Sequence, residues 1–304
     1  PPGGGSGGTP SPSPSPSPSP SPTYQTFSQL TGTQTFGTTC GGNYNSMQRD
    51  SFGGEPVGVR FIQLVSDRSL PSYELSSPGN GFLAPFSTTF TQADRDTSVN
   101  GEIYRKTASS GFTEIFSIFP LTSGGTELPY VRVASAVVQA TQGNYFMNCV
   151  FGVPTVVTDV PTSTVNYGRL AIFGTADITR SGPTGPTIEN YRVTPSNATM
   201  SANPSNGEVN FTLTLRGQLI TGNTVSSTVT DLGVFTGSTT LDGTTPTFAD
   251  ILVNDRNFVS GTFGGGFFGP QGRTAGLSLS IRSQNVDGSE LLLGGLVILI
   301  PPAG

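Results

Sequence analysis

Nineteen carboxylates and two cysteines face no histidine in this 304-residue chain. Without histidine the commonest general base, metal ligand and physiological pH switch are missing, and Ser–His or Cys–His nucleophilic systems are excluded. Cys40 and Cys149 form no CxxC pattern, so the spacing that zinc sites use is absent. Two readings remain for them: a disulfide in an oxidising compartment, or two buried thiols acting as small apolar residues. Asp94, Asp96, Asp250 and Asp255 offer oxygen donors for calcium, but without the density of a calcium loop, and solvated turns explain them. Paired carboxylates could hydrolyse a glycosidic bond, yet the separation that matters there is spatial. Gly264, Gly265 and Gly266 lack the Lys-Ser/Thr and the helix of a phosphate loop. No catalytic residue, metal ligand or cofactor site is therefore assigned. Tyr44, Phe52, Tyr73 and Tyr104 lie near Gly, Pro or charged residues. Such aromatics serve either as anchors for a ligand on exposed loops or as core.

Charged residues make up 11% of the chain, against about 25% in an average globular protein. The net charge of −5 and pI of 4.7 leave no basic footprint for nucleic acid or anionic lipid. Low charge with abundant Thr, Ser and Gly suits an exported β-protein. No apolar run has the length of a membrane-spanning helix. The nearest, Leu291 to Ile300, is interrupted by Gly294 and Gly295 and reads as a buried strand. The chain starts at Pro1 without an initiator Met or signal peptide, which is the expectation for a processed product.

Three regions are expected. Residues 1–23 are a disordered Pro/Ser/Gly tether whose Ser-Pro repeats favour polyproline II, a semi-rigid spacer on the order of 40 Å long. Residues 24–160 form a small β-rich handle, with strands such as Phe112–Phe119, Val131–Gln139 and Tyr145–Val153, and 57–65 and 82–90 as further ones. Residues 161–304 form an antiparallel β-barrel. There Leu170, Ile172, Gly174, Ala176 and Ile178 are read on one strand face. Val209, Phe211, Leu213 and Leu215 alternate with polar residues, as do Ala275, Leu277, Leu279 and Ile281. A period of two means a sheet with one face on a core and one in water. Asn206-Gly207, Asp242-Gly243 and Asp287-Gly288 are tight-turn dipeptides between such runs. Strands at 169–178, 187–193, 197–202, 208–219, 225–240, 246–253, 258–268 and 275–284 make eight. Then 290–300 is a ninth, or 187–202 is one broken strand. An open sandwich is the rival to closure. Pro154 and Pro161 mark the crossing between the halves.

Two passages carry a family resemblance. Gly152, Pro154, Thr155, Pro161, Tyr167 and Gly168 resemble the handle-to-barrel junction of the transferrin-binding protein B-like family. Gly261, Phe263, Gly266, Phe267, Phe268, Gly269 and Pro270 resemble that family's barrel signature, without the acidic residue that often follows. The resemblance spans residues 24–302 as a single lobe. It implies an all-β fold with a small handle followed by an eight-stranded barrel, on a lipid anchor preceding Pro1, at a Gram-negative outer membrane, on the cell surface or its periplasmic side.

The implied function is non-enzymatic capture of a protein or small solute, in partnership with a TonB-dependent transporter. No nucleic-acid partner and no cofactor are implied. A stalked surface protein with a structural or assembly role and no soluble ligand is the alternative. A carboxylate-dependent glycosidase is the third reading.

Overall fold

A computed structural model describes residues 22–45, 49–53, 63–67, 72–77, 85–140, 143–241, 245–254 and 259–302. The Ser-Pro run, the Asp242-Gly243 turn, Asp255 and the starts of the two expected handle strands, 57–62 and 82–84, lie outside these residues. Among the described residues there are strands and short 3-10 turns, and no α-helix.

The first half folds as two facing antiparallel sheets. Its strands are β1 (Thr33–Gly37), β2 (Thr39–Asn45), β3 (Arg49–Phe52), β4 (Gln63–Asp67), β5 (Ser72–Ser77), β6 (Phe86–Phe90), β7 (Glu102–Thr107), β8 (Thr113–Ser123), β9 (Thr126–Ala140) and β10 (Gly143–Gly152). One sheet has the order β1-β4-β5-β6, the other β3-β2-β10-β9-β8-β7. Alternation puts every second side chain between them. Tyr73, Phe90, Tyr104, Phe116 and Tyr145 are all buried there. Phe90 stacks on Phe116 at 5.3 Å, and Tyr73 meets Tyr104 edge-on at 5.4 Å. Each such ring contributes about 1.5–3 kcal/mol through burial, and the ring pairs add to it. The structure joins Cys40 to Cys149 in a disulfide between paired positions of β2 and β10.

The second half contains β11 (Val165–Arg180), β12 (Thr187–Arg192), β13 (Asn197–Asn203), β14 (Glu208–Thr221), β15 (Thr224–Val225), β16 (Thr230–Thr240), β17 (Thr247–Ile251), β18 (Val259–Phe268), β19 (Thr274–Gln284) and β20 (Glu290–Ile300). β12 and β13 occupy one strand position: both lie between β11 and β14, one at each end. The 187–202 stretch is thus one broken strand, and β20 fills the eighth position. The ladder runs from β14 through β13, β11, β20, β19 and β18 to β17, with β16 on the other side of β14. β16 and β17 close the ring thinly. Thr236 and Val253 exchange backbone hydrogen bonds of 2.9 and 2.8 Å, and the Thr239 hydroxyl donates to the Ala249 carbonyl. The barrel is filled by its own side chains, among them Phe211, Phe235, Phe248, Phe263, Leu277 and Leu293.

One expected face is corrected. Leu170 does not share the interior with Ile172, Ala176 and Ile178; it packs outside, with Phe173. A register shift between Arg169 and Ala171 inserts an extra residue against β20 and flips the alternation.

Handle and barrel are laminated. Leu121, Val131, Val133 and Val150 from the handle form one cluster with Phe268, Leu296 and Ile298 from the barrel. Beside it β2 and β20 touch backbone to backbone. A Cβ on Gly41 would lie 2.0 Å from the Gly295 carbonyl oxygen, and one on Gly294 would lie 1.9 Å from that of Gly42. Only glycine permits this approach. Hydroxyls stitch the seam: Thr39 with Ser278 at 2.6 Å, Ser51 with Ser280 at 2.8 Å, and Thr262 to the Gly53 carbonyl at 2.9 Å.

Candidate functional site

The residues of the two sequence passages meet at one end of the lamination. Thr155 N–H donates to the Phe267 carbonyl at 2.9 Å, Gly269 N–H to the Val153 carbonyl at 2.9 Å, and the Thr155 hydroxyl to the Gly269 carbonyl at 2.7 Å. Pro154 forms a β-bridge with Phe268. Gly152 ends β10 where a Cβ would strike the Tyr130 carbonyl oxygen at 2.1 Å. Phe263 and Phe267 point into the barrel core, while Phe268 points into the handle–barrel cluster. Gly261 and Gly266 pair with Ile281 and Gly276 on β19. Gly269 takes a positive φ of 73° just before Pro270 opens a 3-10 turn. Tyr167 is buried and donates to the Gly272 carbonyl at 2.8 Å; burial raises its pKa well above the ordinary tyrosine value. Gly168 continues β11 opposite Ile300, and Pro161 is half-buried in the crossing. Pro154, Thr155, Phe268 and Gly269 join handle to barrel, while Tyr167, Gly261, Phe263 and Gly266 belong to the barrel itself.

The candidate recognition aromatics fare differently. Phe52, Tyr73 and Tyr104 are 7%, 2% and 1% exposed, inside the handle. They are core side chains on paired strands, because alternation turns each toward the opposite sheet, and they do not stand on loops. Burial, reinforced by Glu102, also pushes the Tyr104 hydroxyl well up. Tyr44 is half-buried with its ring 4.8 Å from that of Tyr145, and its buried hydroxyl has no hydrogen-bond partner.

Where the apolar lamination ends, a cleft of about 460 Å³ opens between the two domains. From the handle it is lined by Asn43 and Tyr44 of β2, Ser135 and Val137 of β9, and Phe146 and Asn148 of β10. From the barrel it is lined by Thr175 and Asp177 of β11, Asn190 of β12, and Leu292 and Gly294 of β20. Alternation explains the set: Val150 and Val133 lie in the apolar seam, so Asn148, Phe146 and Ser135 on the same strand faces also turn to the barrel. Asn43 Nδ2 donates to Thr175 Oγ1 across the gap at 3.0 Å, and the Ser135 hydroxyl donates to Asn148 Oδ1 at 2.6 Å. Asn43 Oδ1 is buried and has no partner. Asp177, 7% exposed, is the one carboxylate of the lining. The carboxylate pair of a glycosidase is not assembled here. Among the described residues no group of His, Cys, Asp and Glu is arranged to hold a metal ion.

A smaller recess of about 230 Å³ at the barrel end gathers Arg180, Asp231, Asn254, Asn285 and Asp287. Its charges satisfy one another. Arg180 pairs with Asp287 at 2.8 Å and Glu189 at 3.2 Å, and the Ser289 hydroxyl and N–H hold the Asp287 carboxyl below its ordinary pKa.

The molecule is thus an all-β protein with a two-sheet handle laminated onto an eight-position barrel. The chain matches no protein-family model and no curated protein. Solved structures similar to it include transferrin-binding protein B of Haemophilus parasuis, at 12% identity, covering 87% of this chain and 59% of that one, with a TM-score of 0.34. Transferrin-binding protein B of Neisseria meningitidis is similar at 10% identity, with coverages of 88% and 77% and a TM-score of 0.31. HpuA of Kingella denitrificans, solved in complex with human haemoglobin, matches at 12% identity, with coverages of 75% and 83% and a TM-score of 0.31. The chain spans 59% of the length of the Haemophilus protein. The architecture of this chain rests on the strand pairing described above.

The cleft was not legible in the sequence. Its polar residues sit on five strands from both halves. The available signals were local: Asn148 inside the otherwise apolar 145–151 run, and Asp177 between the buried Ala176 and Ile178.

Proposed function

We propose that this protein is a non-enzymatic surface lipoprotein that captures a protein or small solute at a bacterial outer membrane and works with a TonB-dependent transporter. Its three regions are a tether at 1–23, a handle at 24–160 and a barrel at 161–304. The observation that carries the reading is the polar cleft between two domains held rigidly by backbone contact. A preformed concavity with convergent polar groups and apolar walls is the usual form of a binding site. The placement of Tyr24 supports it further. Tyr24 accepts a hydrogen bond from Val156 N–H at 2.9 Å and packs on Tyr130. Tyr24 therefore lies beside the junction, whereas the cleft lies at Phe146, roughly 26 Å away along the strand direction. A protein anchored through its tether would present the cleft away from the anchor.

A pull-down from native envelopes with the tether intact, read by mass spectrometry, tests the reading. Recovery of a TonB-dependent transporter supports capture. Recovery of the protein alone, in stoichiometric multimers, removes capture and leaves a structural surface role.

A further inference from the structure

We propose that the handle–barrel cleft binds a neutral, hydroxyl-rich ligand, a mono- or disaccharide or the end of a glycan, seated against Phe146 and hydrogen-bonded by Asn43, Asn148, Thr175 and Asn190. The inference rests on the capture reading and gives it a ligand chemistry.

Charge narrows the class first. Among the described residues the lining contains no Lys or Arg, and its one carboxylate is the recessed Asp177. A phosphate or carboxylate ligand would meet no counter-charge among these side chains. The other polar side chains are three amides and three hydroxyls. Each is both donor and acceptor, and a ligand hydroxyl has the same dual capacity.

Asn43 makes this argument specific. One end of its amide is held by Thr175, and the other is buried without a partner. Thr175 can donate or accept, so exchanging the amide O and N leaves the first bond intact and an unpaired group in the same place. A hydroxyl satisfies either assignment. A buried polar atom left without a partner is destabilising, so a group that supplies the missing hydrogen bond binds favourably.

Phe146 supplies the apolar half. Its ring is 44% exposed on the cleft wall, an unusual state for a large aromatic on a central strand. The negative face of an aromatic ring attracts polarised C–H groups. The C–H face of a pyranose offers these while its hydroxyls project around the rim toward the amides. The volume of about 460 Å³ lies in the range of about 300–1,000 Å³ typical of small-ligand sites.

The test is a binding screen by saturation-transfer NMR and calorimetry. The probes are glucose, galactose, mannose, N-acetylglucosamine and their common disaccharides, with N-acetylneuraminic acid and glucosamine as anionic and cationic controls. At least one neutral probe is expected to bind at about 1 mM or tighter. Phe146→Ala should weaken it about tenfold and Asn190→Ala several-fold, with unchanged circular dichroism and melting. Val286→Ala, 88% exposed and remote from the cleft, should change nothing. Three results overturn the inference: no neutral saccharide binds, the charged controls bind equally well, or Phe146→Ala leaves binding intact in a folded protein. A failed screen with a recovered transporter removes the saccharide and keeps capture. Saccharide binding without a transporter keeps the ligand and removes the transporter partnership.

Discussion

Gly294→Ala probes the lamination of handle on barrel most directly. The added methyl would lie 1.9 Å from the Gly42 carbonyl oxygen, 2.4 Å from its carbon and 2.8 Å from its Cα. Ordinary contact begins at 3.4 Å, so the sheets must part by about 1.5 Å there. All three atoms are backbone, and no rotamer change relieves the clash. Overpacking alone costs about 1–3 kcal/mol. Parting also stretches the Asn43–Thr175 and Ser51–Ser280 bonds, now 3.0 and 2.8 Å, beyond useful length. Each is worth about 1 kcal/mol. The total loss is about 3–5 kcal/mol, a large share of the stability of about 5–15 kcal/mol of a typical protein. Urea unfolding under oxidising conditions measures it, and limited proteolysis of the 153–164 crossing reports domain separation. Gly168→Ala is the control, since a Cβ there meets nothing within 4 Å. A Gly294→Ala protein as stable as the control would refute backbone contact between β2 and β20.

Three further outcomes are expected. Replacing both Cys40 and Cys149 by alanine should cost about 2–5 kcal/mol, because the bond ties positions 109 residues apart; alkylation of both thiols without prior reduction in native protein would contradict it. Tyr104 and Tyr167 should not ionise near pH 10, the ordinary tyrosine value. Their folded-state pKa lies above the unfolded value, so the stability they contribute is full below about pH 10 and is lost as pH rises further. Absorbance at 295 nm should therefore show a tyrosine fraction that titrates only with unfolding, and complete titration of a folded protein near pH 10 would count against their burial. Thr155→Val should cost about 1–3 kcal/mol by leaving the buried Gly269 carbonyl short of its donor, and should speed cleavage of the crossing; unchanged cleavage and stability would mean that this bond does not hold the junction.

Period-two alternation and turn dipeptides made the strands of this protein legible in its sequence. Val209–Leu215 could be read as a one-faced strand because burial in a sheet repeats every two residues, a local property; Ala275–Ile281, read the same way, is instead buried on both faces over most of its length because the handle covers the outer one. The same logic failed at Leu170, where one bulged residue reverses the faces, and bulges leave little trace in composition. A neighbouring Gly or Pro does not reveal whether a strand faces another sheet, so the two readings of Phe52, Tyr73 and Tyr104, recognition anchor or core, could not be separated locally. Gly294 and Gly295 read in sequence as an interruption of an apolar run. Only the packed structure shows them as the place where a second sheet rests on the first, against Gly41 and Gly42 some 250 residues earlier. The cleft lies further still from sequence. Asn43, Asn148, Asp177 and Asn190 line one cleft because strand order, register and lamination bring their four strands together, and each of those is a long-range choice that no local pattern encodes.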